Sequence, residues 1–182
     1  MDGKVRRASP WAAFWVMVVS VVVTVWLVGS LTNEDLLWFE RSFDEVPTMI
    51  VIYDKGVRYC IEAGDATFAR IVEAFNQGVA HWGAYEGSAG LSQASLDRLR
   101  AEGRLLELHY DHPVQVHTQH PFPASTTFYV PLTGTHAKWR RVFGGITEPP
   151  HIGVLEMREG NFERLQAVVD EVLQEARRCD ER

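Results

Sequence analysis

From Trp11 to Leu31 the chain reads WAAFWVMVVSVVVTVWLVGSL without one charged side chain, and no other feature limits the fold so sharply. At a helical rise of about 1.5 Å per residue, such a run covers the ~30 Å hydrocarbon core of a bilayer. Valine is a mediocre helix former in water. In lipid, however, every backbone N–H and C=O must be bonded within the segment, so a helix is the one solution open to a single span. Ser20 and Thr24 can return their hydroxyls to carbonyls one turn back, and their polarity therefore implies no pore.

The flanks set an orientation. Lys4, Arg6 and Arg7 precede the run, whereas Glu34, Asp35, Glu40, Asp44 and Glu45 follow it. Basic residues are retained on the cytoplasmic side. The expectation is a single-pass protein of the cell membrane: residues 1–10 a cytoplasmic tail, 11–31 a transmembrane helix acting as signal anchor, 32–47 a juxtamembrane linker or helix, and 48–182 an extracytoplasmic domain. Trp11, Trp15 and Trp26 lie near the ends of the run, where indoles favour the headgroup layer. A cleaved signal peptide competes with the anchor, since Val28 and Ser30 make a passable peptidase site, but the run exceeds the usual ~7–15-residue apolar region. Both routes carry the remainder across the membrane.

The whole chain has net charge −6. Setting aside Asp2, Lys4, Arg6 and Arg7 leaves 15 of 18 basic and 23 of 24 acidic residues, hence −8 for everything else. A domain of that sign has no basic footprint for nucleic acid. On charge alone it should stand away from anionic lipid headgroups. About 150 residues follow the apolar run, enough for one domain with its own core. Cys60 and Cys179 are the only cysteines. Outside the cytoplasm they could form a disulfide closing a long loop; the other reading is a buried thiol at 60 and an inert exposed one at 179.

The remaining pattern predicts an α+β domain, a compact antiparallel-rich sheet with about three helices. TMIVIYDKGVRYCIEA reads as a hairpin about Asp54, Lys55 and Gly56, with glycine suited to a three-residue loop carrying a bulge. Phe68, Ile71, Val72 and Phe75 repeat on one face of a helix beginning after Asp65. Ser92 caps a second helix, closed by Gly103. RLLELHY, VQVHT, TTFYVPL and HIGVLEM alternate as strands, and NFERLQAVVDEVLQEARR places Phe162, Leu165, Val168, Val169 and Val172 on one stripe behind Asn161 as cap.

Two segments hold candidate chemistry. LHYDHPVQVHTQHPF carries four of the seven histidines. With a hairpin near His112 and Pro113, His109, Asp111 and His117 would share one sheet face, and His112 or His120 would complete a zinc-like shell. The metal set is thus His109, Asp111, His117 and His120, although its spacing matches neither an HExxH pair nor a zinc finger. Clustered imidazoles near neutrality could also sense pH. The second segment, PLTGTHAKWRRVFGG, places Lys138, Trp139, Arg140 and Arg141 together in an otherwise acidic chain, a surface for an anionic ligand or acidic partner. Its glycines lack the strand–loop–helix phosphate fingerprint, and no nucleophile elbow surrounds Ser125, Thr126 or Thr127. The expected function is a membrane-anchored, non-enzymatic binding domain without cofactor, engaging a protein partner at the membrane and no nucleic acid. The alternative is a zinc-binding protein or metal-dependent hydrolase built on the His/Asp cluster at 109–120.

Overall fold

The computed structural model describes residues 9–33, 36–40, 42–85, 90–118, 122–147, 153–176 and 178–179. These form five helices and seven strands in an α+β arrangement. Helix α1, Pro10–Asn33, is long and apolar enough to cross a bilayer, and none of its apolar window is buried by the rest of the fold. Thr24 Oγ1 donates to the Ser20 carbonyl at 2.8 Å, the back-bond that lets a hydroxyl sit in such a helix.

Of the two expectations for residues 32–47, linker or helix, the described residues fit the linker. A turn spans residues 36–39, and among the described residues no helix or strand lies between α1 and the first strand. The cause is a division of the apolar side chains. Trp38 folds back onto Gly29, where a Cβ would lie 2.6 Å from the indole ring. Phe43 instead enters the core, its ring 6.0 Å from that of Phe75 and 5.9 Å from that of Phe128. One straight helix could not deliver both.

Strands β1, Met49–Asp54, and β2, Val57–Glu62, form the expected hairpin, but with a two-residue loop in which Asp54 pairs with Val57. Lys55 and Gly56 both take positive φ, 51° and 84°, the pair of values a tight mirror-image turn requires. Lys55 adopts this conformation while its N–H bonds to the Gly103 carbonyl at 2.8 Å. Next come α2, Ala66–Ala80; β3, Trp82–Tyr85; α3, Gln93–Glu102; β4, Arg104–Val114; β5, Ser125–Pro131; α4, Gly134–Lys138; β6, Arg141–Gly145; β7, Val154–Met157; and α5, Glu159–Glu175. Asn161 lies inside α5 and Arg158 occupies the cap position. The sheet runs β2-β1-β4-β5-β6-β7-β3, antiparallel at every pairing.

Alternation gives this sheet two faces, and both are covered. Ile50, Ile52, Leu106, Leu108, Phe128, Val130, Val142 and Leu155 meet α2 and α5 through Ile71, Phe75, Leu165, Val169 and Val172. On the opposite face Leu105, Tyr129, Phe143 and Val154 pack with Leu91 and Leu96 at α3. Ser92 caps α3 as predicted, its hydroxyl accepting from the Ser95 N–H at 3.2 Å. Ser92→Ala should therefore cost about 1 kcal/mol in urea unfolding.

Register also defines two ends. Met49, His109, Thr127 and Gly145 stand side by side at the end where the chain arrives from α1. Asp54, Arg104, Pro131 and α4 lie at the far end. There Arg104 reaches Asp54 at 3.0 Å and pairs with Asp170 of α5. Burial opposes the Arg104 charge, but the hydrogen bonds and charges of these carboxylates outweigh it and hold the guanidinium above its ordinary pKa.

Candidate functional site

The histidine-rich segment does not turn at His112 and Pro113. β4 continues to Val114, and its neighbour is β5 rather than the VQVHT segment; pairing runs to His109↔Thr127 and resumes at Val114↔Ser125 across an irregularity. Proline cannot donate to a ladder, and the irregularity accommodates it without ending the strand. Residues 115–118 are then irregular, so His109 and His117 do not oppose each other on paired strands. Asp111 Oδ1 lies 2.5 Å from His112 Nδ1, and His112 Nε2 is 3.8 Å from Glu45 Oε2. His120 lies outside the described residues. Among the described residues, no three His, Cys, Asp or Glu side chains converge on a point where an ion could sit.

His109 has a different task. Glu107, two residues before it on the same face of β4, is 1% exposed beneath α3. Arg100 Nε donates to its Oε1 at 2.7 Å, and His109 Nε2 stands 3.2 Å from Oε2. An ionised carboxylate only accepts, so Nε2 presents a hydrogen to it, and the other ring nitrogen, Nδ1, lies 3.4 Å from Thr127 Oγ1. Hydroxyl, imidazole and carboxylate thus form a chain that satisfies a buried charge. The sequence offers a lone carboxylate within RLLELHY, but its arginine partner is set by how α3 packs, which no local pattern announces. Nearby, burial first and the Glu45 charge second push the Tyr110 phenol well above its ordinary pKa, so it stays protonated.

The far end gathers a different set. Thr133 Oγ1 accepts from the Arg104 N–H at 2.8 Å, and Gly134, with φ of 77°, turns the chain into the short α4. Trp139 closes α4 and is 53% exposed, with the Arg141 guanidinium 5.9 Å from its ring centre. Arg140 departs from its expected role. At φ 49° it donates through Nε to the Met157 carbonyl at 3.1 Å and forms an ion pair with Glu156, which pins β6 to β7. Two shallow clefts flank α4 and share Thr133 and Gly134. One, of about 410 Å³, opens between Arg98, Glu102 and His136; the other, of about 440 Å³, between Lys138, Glu159 and Glu163.

No family model, curated protein or solved structure matches the chain.

What remains is the chemistry of the corner itself. A half-exposed indole beside an arginine, at the end of a short helix flanked by two clefts, is suited to seizing a surface group. A wider opening of about 690 Å³ lies between the β2–α2 turn and the end of α5, lined by Glu62, Asp65 and Glu175. It has carboxylates and small residues only, and no aromatic anchor. Cys60 and Cys179 form a disulfide with Cα atoms 5.1 Å apart, and beside it Tyr59 bridges to Arg178. The bridge fastens the chain after α5 to the β2 edge of the sheet.

Proposed function

We propose that this chain is a single-pass, membrane-anchored binding domain whose extracytoplasmic part recognises a protein partner through the α4 corner. The observation that carries the reading is polarity of placement. The apolar α1 stands clear of the core, while Trp139 and the clefts beside α4 occupy the sheet end opposite the point where the chain arrives. Basic residues before α1 and acidic ones after it favour a cytoplasmic N-terminus. A disulfide between Cys60 and Cys179 accords with an oxidising compartment. Mechanistically the domain acts by tethering: α1 holds it to one surface, Trp139 supplies the buried anchor of an interface, and Lys138 and Arg141 meet an acidic rim on the partner.

The test is a photocrosslinking amino acid at position 139 in the full chain, in the cells that make it, with the same group at exposed Asp97 as control. A discrete adduct at 139 and none at 97 is expected; no adduct at 139, or equal adducts at both, would reject the corner. With the captured partner purified, Trp139→Ala should weaken Kd at least about tenfold, as interface tryptophans do. Because the indole is exposed, the same change should leave unfolding free energy within about 0.5 kcal/mol.

A further inference from the structure

Six large apolar side chains outside α1 are exposed among the described residues: Leu36, Leu37, Phe39, Val46, Trp139 and Ile146. Their distribution is lopsided. Trp139 sits at the far end, whereas the other five belong to the near end: Leu36, Leu37 and Phe39 follow α1 directly, Val46 precedes β1, and Ile146 follows β6 next to Gly145. Val46 and Ile146 adjoin strands three places apart in the sheet order, so they mark a row of roughly 15 Å at a strand spacing of ~4.8 Å.

The tether makes this rim face the bilayer. At about 1.5 Å per residue the 24 residues of α1 measure ~36 Å, so its last turn reaches past a ~30 Å hydrocarbon core into the headgroups. Trp38 then returns to the level of Gly29, and the Trp26 indole N–H donates to the Leu36 carbonyl at 3.2 Å. From Trp38 to the buried Phe43 the chain can extend no more than about 18 Å, and the headgroup layer takes up ~5–8 Å of that. Charge alone favours a domain standing off the membrane, but the connection is too short for it.

We infer that the near end of the domain docks on the lipid surface, with Leu36, Leu37, Phe39, Val46 and Ile146 seated in the headgroup–acyl boundary. This rests on the reading of α1 as a span. Glu40, Asp44, Glu45 and Asp111 line the same end, so the surface it fits is zwitterionic lipid rather than anionic lipid. Docking on lipid holds the α4 corner outward toward a partner.

Single cysteines at Val19, Val46, Trp139 and Ile146, added with the Cys60–Cys179 bridge intact, would carry nitroxide labels in the full chain reconstituted in phosphatidylcholine nanodiscs. Collision with oxygen, which concentrates in lipid, is then compared with collision with a water-soluble nickel chelate. All but Val19 are exposed side chains outside α1, so the labels leave the fold intact. The oxygen-to-nickel ratio at 46 and 146 should exceed that at 139 by at least about threefold, as expected for side chains buried ~5–10 Å into the interface. Ratios at 46 and 146 equal to that at 139, with 19 still in lipid, would overturn docking and leave the anchor standing. Shielding of 46 and 146 from both reagents would mean that protein covers the rim, which also overturns lipid docking. A label at 19 exposed to nickel would remove the anchor and the docking together.

Discussion

Replacing Cys60 or Cys179 by serine should lower stability by ~5 kcal/mol, the loop-closure entropy of a bridge spanning 119 residues. The size follows from what the bridge encloses. It joins the β2 edge to the chain just beyond α5, so nearly the whole fold, from the second strand to the last helix, lies within one loop. Without it, α5 is still held by buried Leu165, Val169 and Val172, and the native contacts persist. What changes is the unfolded chain, which regains its freedom. In a domain of this size the loss corresponds to a fall of roughly 10–20 °C in Tm. Cys60→Ser, Cys179→Ser and the double variant should all fall by the same amount, since any one of them opens the loop. Thermal melts of the three beside the wild-type protein check this, and reductant should bring the wild type to the level of the variants while leaving them unmoved. A wild-type protein indifferent to reductant, with variants as stable as it is, would show that closing this loop does not stabilise the fold.

Much of the fold was legible because its signals are local. Phe68, Ile71, Val72 and Phe75 specify the buried face of α2, and Leu165, Val169 and Val172 that of α5, through helical spacing alone. Alternation likewise places Leu106, Leu108, Phe128 and Val130 on one face of the sheet. Pairing is not local, and there the reading failed. His112-Pro113 looks like a turn from its own residues, but whether β4 stops is decided by β5, whose Ser125 meets Val114 beyond the irregularity. The second covered face was hidden for a related reason. α3 shows a single fully buried residue, Leu96, and nothing in its own pattern announces that Arg100 will cover Glu107. The candidate corner was found by charge, yet charge could not sort its members: Arg140 serves Glu156 and Met157, which only the β6–β7 register places beside it.

The Arg100–Glu107 pair should respond asymmetrically to mutation. Arg100→Ala leaves the buried Glu107, whose side chain is 2% exposed, without its guanidinium partner, and should cost roughly 3–5 kcal/mol, as breaking a buried pair does. Glu107→Gln should cost less, because the Arg100 side chain is 22% exposed and its guanidinium can turn to water while keeping its place over the Tyr53 ring, 5.3 Å away. The stem of Arg100 covers apolar surface as well, so Arg100→Met separates charge from packing. The decisive variant is the double one: Arg100→Met with Glu107→Leu removes both desolvated charges and should recover most of the single-mutant loss. Urea unfolding of the wild type, Arg100→Met, Glu107→Leu and their double variant gives the coupling energy directly. If Arg100→Ala and Glu107→Gln prove equally mild, and their effects merely add, then water reaches Glu107 from the α3 side and that face of the sheet is open; a large coupling would establish that α3 seals it, with His109 spent on holding a buried carboxylate rather than available to a ligand.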